Sequence, residues 1–294
     1  MAAQAAGAQH FARGALYMVA TPIGNLADLT LRAVHALALA DAVACEDTRV
    51  SGQLLRHLGL HKPLIAAHEH NERAAAETVL ARLAAGERVA FVSDAGTPGL
   101  SDPGAVLAAA AHAAGHPVVP LPGASSGVTL LSAAGDVQAH GGHVFAGFMP
   151  ARGAARTARL RELVAQPLAV LLFEAPHRMA ELLAELAALV PTRRLTVGRE
   201  LTKQFEQIVT LPAGEAPAWL AADAHRARGE FALLLHGQPA AAPDADASAH
   251  DALLTPLVRT LPLKQAVQLA AEISGSPRNA LYARALQLKE NLNP

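Results

Sequence analysis

Aromatic side chains are scarce in this chain: seven Phe, two Tyr and one Trp among 294 residues. Large rigid anchors are therefore few, and the cores must be built from small aliphatic residues packed through helices. A single cysteine, Cys45, excludes an intramolecular disulfide framework and a Cys-rich zinc site. Neither sign of charge is in excess, with 24 Lys and Arg against 25 Asp and Glu and a formal net charge of −1. No whole-protein field draws in nucleic acid, so any RNA contact has to rest on a local patch. Apolar runs fall short of a membrane span. The leader Met1 to Arg13 has no basic start and no apolar centre, and residues 1–14 are expected to be a flexible tail. The expectation from these absences is a cytoplasmic protein free of membranes.

What the chain does have is 52% hydrophobic residues, much of it alanine, and a length that fits about two domains. Two stretches stand out, Thr21-Pro22-Ile23-Gly24-Asn25 and Ser93-Asp94-Ala95-Gly96-Thr97-Pro98. Each follows a strand-like apolar run, 16–20 and 88–92. Small residues at the carboxyl end of a strand let backbone approach a ligand closely, and that edge is where open α/β sheets bind ligands. Neither stretch matches a Walker loop or a G-x-G-x-x-G fingerprint.

Strand candidates at 16–20, 42–45, 64–67, 88–92 and 117–121 alternate with helical stretches, which predicts a largely parallel sheet covered on both faces over residues 15–123. A second α/β domain is expected over 124–237, with strands at 143–147, 168–174, 194–199, 205–211 and 230–236. The two strands flanking Thr202-Lys203 are close enough in sequence to pair as a hairpin, hence a mixed sheet. Residues 238–250 have the composition of a linker, and 251–294 form a small helical extension. Leu263, Ala266, Val267 and Ala270 recur at helical spacing; Gly275 turns the chain, Ser276 and Pro277 start the next helix, and Leu281, Ala285 and Leu288 form its inner stripe. A helical hairpin for packing and a helix-turn-helix both fit this pattern.

Eight motifs occur in order: Val19 to Leu26, Cys45-Glu46-Asp47-Thr48-Arg49, His70-Asn71-Glu72, Val92 to Pro98, Pro120-Leu121-Pro122-Gly123, Gly147-Phe148-Met149-Pro150, Pro176-His177-Arg178 and Arg199-Glu200-Leu201-Thr202-Lys203. Over residues 15–237 the set resembles the bacterial ribosomal RNA small-subunit methyltransferase I family, and the helical tail resembles that family's C-terminal extension. The resemblance implies a tetrapyrrole-methylase-like fold of two α/β domains with S-adenosylmethionine held between them. It further implies 2′-O-methylation of a cytidine in the decoding region of 16S rRNA, and a homodimer. Mild departures are Gly99, where a larger apolar residue is common, Ala124 in place of a proline, and Ala175 in place of a serine.

On this resemblance Asp94, Ala95, Gly96 and Thr97 form the cofactor loop, with Thr21, Pro22 and Gly24 as the facing lip. Ser125, Phe173 and Ala232 are expected against the adenosyl part. Methyl transfer to a ribose hydroxyl is an in-line displacement that gains from positioning and from a base. Asp47, at the end of the second strand, is the first candidate base and Glu200 the second; the alternatives are an Asp47–Arg49 pair or a helix cap. Arg49, His70, Asn71, Glu72, Arg199 and Lys203 are candidates for gripping RNA. Arg152 and Arg156, with Arg159 and Arg161, make the best basic patch, since arginine's planar fork suits phosphate. His68 and His70 offer two ligands without a clear third, so no metal is expected. Two further readings remain open: a tetrapyrrole methylase of the same fold, and a non-catalytic ribosome- or DNA-binding module using the terminal helices.

Overall fold

The computed structural model describes residues 1–68, 71–138, 142–238 and 250–292. The chain divides into two compact units, 1–237 and 238–294.

The first unit contains two five-stranded sheets. Strands β1 (Leu16–Val19), β2 (Ala42–Cys45), β3 (Leu64–Ala66), β4 (Val89–Val92) and β5 (Val118–Leu121) are all parallel, in the order β3-β2-β4-β1-β5. Their near-continuous apolar character follows from burial on both faces. Alternation along β1 shows it: Tyr17 and Val19 pack with Leu37 of α2 (Leu31–Leu39) and Leu55 of α3 (Thr48–His57), whereas Leu16 joins Val79 and Leu83 of α4 (Glu72–Ala84) and Leu107 of α5 (Ala105–Ala113) on the opposite face.

The second sheet is mixed. Strands β6 (His143–Phe148), β7 (Ala169–Glu174), β8 (Arg194–Arg199), β9 (Gln207–Pro212) and β10 (Phe231–Leu235) run in the order β6-β7-β10-β8-β9. Only β6 and β7 are parallel; β8 and β9 pair antiparallel across the Thr202-Lys203 turn. One face carries α7 (Gly153–Val164), α8 (Pro176–Leu189) and α9 (Ala216–Ala221) over Val170, Leu172, Leu195 and Leu233. The other buries Leu171, Ala232 and Leu234 against Leu130 and Ala134 of α6 (Ser126–Ala134). Ile23, from the loop after β1, lies in that same cluster, so the two sheets share apolar packing at the loop edge.

The leader differs from expectation. Ala2–Ala6 is a short helix, α1, that packs on α2, and Ala6 is buried. Phe11 stands edge-on to His35 at 5.1 Å, and the Arg88 guanidinium donates to the Phe11 carbonyl. Apolar alanines and Phe11 gain from covering the small-residue face of α2, and composition by itself did not reveal that surface.

The second unit is a three-helix cluster: α10 (Asp251–Thr260), α11 (Leu263–Ser274) and α12 (Arg278–Leu292). Leu254, Ala266, Val267, Ala270, Leu281 and Ala285 form its core, and Arg284 grips Asp251 through two hydrogen bonds of 2.6 and 2.8 Å. Gly275 ends α11 at φ 70°, a left-handed conformation that glycine adopts without strain. The expected linker falls largely outside the described residues, which resume at His250.

Candidate active site

The site is assembled where the β1 and β4 loops of the first sheet meet the β7 and β10 ends of the second. Thr21 and Gly96 are joined as an isolated antiparallel bridge, the Thr21 amide donating to Gly96 at 2.9 Å and the Gly96 amide returning the bond at 3.1 Å. Gly96 has φ 84° and its Cα faces Ile23, so a side chain there would be both strained and crowded. The Thr97 hydroxyl donates to the Ala124 carbonyl at 3.0 Å and ties this loop to the start of α6.

Two cavities flank the bridge. The first, about 350 Å³, is lined by Ala95, Gly96, Thr97, Ser125, Phe173 and Ala232, residues drawn from both sheets. Its lining includes apolar side chains, with Phe173 edge-on to Phe148 at 5.6 Å and Ile23 and Leu201 also present. Polar groups line it as well: Ser101, Ser126 and Asp102. The second cavity, about 250 Å³, takes Thr21, Pro22, Gly24 and Asp94, together with residues of α3. The ten expected cofactor residues are thus brought to one place but divided between two compartments, Thr21, Pro22, Gly24 and Asp94 lining the second and the other six the first.

Four carboxylates, Glu46, Asp47, Asp94 and Asp102, interact near the bridge, and a fifth, Glu200, pairs with Lys203. Asp47 caps α3, accepting from the Arg49 amide at 2.8 Å, and its side chain is gripped by the Arg49 guanidinium at 2.6 Å. These hydrogen bonds from Arg49 hold its carboxyl at about 2. Such a group is a weak proton acceptor, and the cap and ion pair account for it. Asp94 accepts from the Asp47 amide at 3.1 Å; burial, with the charge of Asp47, pushes its carboxyl up. Asp102 is pushed up to about 6, first by burial and then by the charge of Glu46. Glu46 itself accepts from the Asp94 amide at 3.4 Å. Glu200 sits at φ 51°, accepting from Lys203 at 2.9 Å and from the Glu230 amide at 2.9 Å. Burial alone raises its carboxyl, but these bonds prevail and its pKa is lowered.

Several expected RNA contacts are placed elsewhere. Arg156 is 1% exposed, bonded to Glu174 at 2.9 Å and Glu185 at 3.0 Å, because α7 turns it inward over the end of β7. Arg178 closes on the same Glu174 at 2.6 Å. A buried cation enclosed by carboxylates orders the fold and cannot reach phosphate. Arg199 is buried too, donating to the Arg228 carbonyl at 2.6 Å and fixing the turn after β8. Asn71 bonds the His68 amide and the Ala66 carbonyl, and Glu72 accepts from the Gly104 amide at 2.6 Å, so both shape loops. His70 lies outside the described residues. Exposed cations remain at Arg49, whose side chain is 89% exposed, and at Arg152 and Arg161; Lys203 is shared between Glu200 and Glu230.

The site residues that motif reading missed are Asp102 and Phe148. Asp102 repeats the Ser-Asp pattern of Ser93-Asp94 eight residues on, a signal present in the sequence. Phe148 belongs to the quoted Gly147-Phe148-Met149-Pro150 turn, but its partner Phe173 is set by the β6–β7 register.

Comparison with known proteins agrees with this architecture. The family profile described as Tetrapyrrole (Corrin/Porphyrin) Methylases matches residues 15–217, and one described as RsmI C-terminal HTH domain matches residues 244–289. Among solved structures, a uroporphyrin-III-C-methyltransferase from Thermus thermophilus superposes with TM-score 0.53 at 22% identity, covering 76% of this chain and 94% of that one. A cobalt precorrin-4 methyltransferase gives TM-score 0.55 at 19% identity, covering 78% and 98%. At such identities the likeness is one of fold. Sequence relatives are nearer: the ribosomal RNA small subunit methyltransferase I of Escherichia coli O157:H7 is 44% identical, covering 94% of this chain and 96% of that protein. Its Pseudomonas aeruginosa counterpart is 45% identical, covering 93% and 97%. With identity of this order spanning nearly both chains, and the methylase fold beneath it, the chain belongs to the ribosomal RNA small subunit methyltransferase I family.

Proposed function

We propose that this protein transfers a methyl group from S-adenosylmethionine to the 2′-hydroxyl of a cytidine in the decoding region of 16S rRNA. The observation that carries the reading is the first cavity, which gathers Ala95, Gly96, Thr97, Ser125, Phe173 and Ala232 from two sheets into one compartment. Its volume lies within the usual range for cofactor sites.

The donor set fits that cofactor. Phe148 and Phe173, packed edge-to-face, offer an aromatic surface for a purine, and the absence of a side chain at Gly96 keeps the loop clear of Ile23. Ala95 and Gly96 present backbone, while Asp102 supplies an acidic group suited to an ammonium. When bound, the cofactor would supply an electrophilic methyl on a sulfonium.

The chain's own residues would then hold the acceptor and take up its proton. Asp94 is the best placed base: it borders the bridge between the cavities, and its carboxyl is pushed up toward a more useful basicity. Asp47 instead positions Asp94 through its amide and presents Arg49 outward for phosphate. Glu200 and Lys203 brace the opposite lip. Arg152 extends the phosphate-binding rim.

The working form we propose is a cytoplasmic homodimer. Exposed Val128 on α6 and Ile208 on edge strand β9 favour a covered face. Among the described residues, no helix is long and apolar enough to cross a membrane.

The test is methyl transfer from labelled S-adenosylmethionine to small subunits from cells lacking the activity, with the product nucleoside identified by mass. 2′-O-Methylcytidine in the decoding region is expected. Cofactor binding without any label in rRNA would overturn the acceptor assignment and favour a small-molecule acceptor.

A further inference from the structure

A third cavity, about 620 Å³, is lined by the end of β8, the turn that follows it and the segment after α9. Resting on the function proposed above, we propose that it holds one unpaired base of the rRNA, a neighbour of the acceptor nucleotide and not the acceptor itself. The base it fits carries both an amino group and a ring carbonyl, as guanine and cytosine do.

Arg199 is the unusual part of the wall. It is 8% exposed, too buried to follow an outer phosphate backbone. Its three hydrogen bonds go to uncharged oxygens: the Arg228 carbonyl at 2.6 Å and, more loosely, the Phe205 carbonyl at 3.3 Å and the Gln207 side chain at 3.4 Å. Among the described residues nothing accepts from its Nη2. A buried guanidinium with an unused edge costs stability until an acceptor completes it, and the carbonyl and ring nitrogen of a base do so. Two carboxylates supply the complementary half. Glu206 accepts from the Thr202 amide at 2.6 Å and Asp223 from the His225 amide at 2.8 Å, each through one oxygen. Their other oxygens, Oε1 and Oδ2, take no protein donor among the described residues. Carboxylates accept from base amino groups but repel phosphate, so the cavity suits a base edge and not the RNA backbone. Phe205, 68% exposed in the same lining, offers the aromatic face on which an unpaired base stacks.

Position agrees. Arg199 stands opposite Phe231 in the β8–β10 register, and Phe231 lines the first cavity, as does Leu201 two residues beyond Arg199. The two cavities thus draw on neighbouring strands, and an RNA strand that delivers a ribose to the first brings adjoining nucleotides to the turn that carries Phe205. Gln207 shares the face of β9 on which Val209 packs toward the helices, whereas Ile208, assigned above to the face covered by a second copy, alternates to the other. Both surfaces can therefore serve at once.

The test uses the full chain with Phe205→Ala, Phe205→Trp and Glu206→Gln, all at exposed positions, and Val106→Ala on the exposed face of α5 as the control. Methyl transfer to small subunits from cells lacking the activity is measured alongside calorimetric affinity for S-adenosylmethionine, sedimentation and thermal melting. Binding of single-stranded oligocytidine and oligouridine hexamers is read by fluorescence anisotropy. Phe205→Ala is expected to raise KM for the subunit and weaken oligocytidine binding about tenfold each, the scale of one lost base stack, with kcat and cofactor affinity unchanged. Phe205→Trp keeps the wild-type KM, as does Val106→Ala. Glu206→Gln narrows the preference for oligocytidine over oligouridine about fivefold, because an amide serves an amino group and a carbonyl alike. A folded Phe205→Ala protein with the wild-type KM overturns the proposal, and so does an unchanged preference in Glu206→Gln. A raised KM without loss of oligocytidine affinity overturns it by assigning Phe205 to a protein of the subunit. Dissociation of a dimer by Phe205→Ala overturns it by assigning the residue to a second copy, and lost cofactor affinity by assigning it to the first cavity. A wild-type protein that binds cofactor but labels no rRNA removes the proposed function itself, and this inference with it.

Discussion

Gly24 lies directly against the aliphatic stem of Lys203, so that any Cβ at position 24 would collide with the lysine side chain. The contact brings the loop after β1 against the turn after β8, joining the first sheet to the second at the mouth of the site. Lys203 is held in place by Glu200 at 2.9 Å and Glu230 at 3.0 Å, so it cannot yield freely. Gly24→Leu is therefore expected to wedge the two loops apart and cut kcat/KM at least about tenfold, or ~1.4 kcal/mol of barrier. Steady-state kinetics with a melting curve separates this from unfolding.

Arg156 provides the sharpest contrast with a surface reading of the α7 basic run. Removing one partner of a buried, hydrogen-bonded charge pair costs about 3–5 kcal/mol. Arg156→Ala should lower the urea midpoint accordingly, while the salt dependence of RNA binding in the folded fraction stays the same. Arg49→Ala and Arg152→Ala should do the reverse: little change in the midpoint, and a salt slope smaller by about one for each phosphate that is no longer neutralised.

Asp94 and Asp47 differ in basicity for stated reasons, burial pushing one up and Arg49 holding the other at about 2. Asp94→Asn is expected to reduce turnover by about 10²–10⁴ with cofactor affinity retained, the range for a lost general base. The acidic limb of the wild-type pH profile should follow the raised Asp94 group. Asp47→Ala should keep that limb but move it to lower pH, since the charge of Asp47 helps push Asp94 up, and should lower the melting temperature through the lost cap.

Asp102 makes a pH-dependent contribution to stability. Its carboxyl is pushed up to about 6 in the folded protein against an ordinary value near 3.8, so the folded state binds more protons between these values. Its contribution therefore turns unfavourable as pH rises through that window and stays so above it. Asp102→Asn should raise the melting temperature at pH 8, and the gain should close as the pH falls below about 4. A pH series of melting curves on the two proteins checks the sign.

Both sheets were legible in the sequence because buried parallel strands leave continuous apolar runs, as at Val89–Val92, and turns leave Gly and Pro. The β8–β9 hairpin was legible from its short connection. The inward turn of Arg156 was not, since a run of arginines on a helix looks alike whether or not Glu174 stands at the end of a neighbouring strand. The ordered leader escaped for a similar reason: Phe11 and Ala6 are anchored by α2 and by Arg88, more than twenty residues away.

The sequence by itself determined the strand–helix alternation, the loops rich in small residues at strand ends and the family, because local periodicity and motif order are properties of the chain. Tertiary structure decided which side each residue serves. The Thr21–Gly96 bridge joins loops 75 residues apart in a motif-rich region that holds two cavities, Asp94 lining one and its neighbour Ala95 the other. Charge followed the same rule: Asp47, Asp94 and Asp102 are one residue type in the sequence, and acquire different basicities only through the partners and burial that folding gives them.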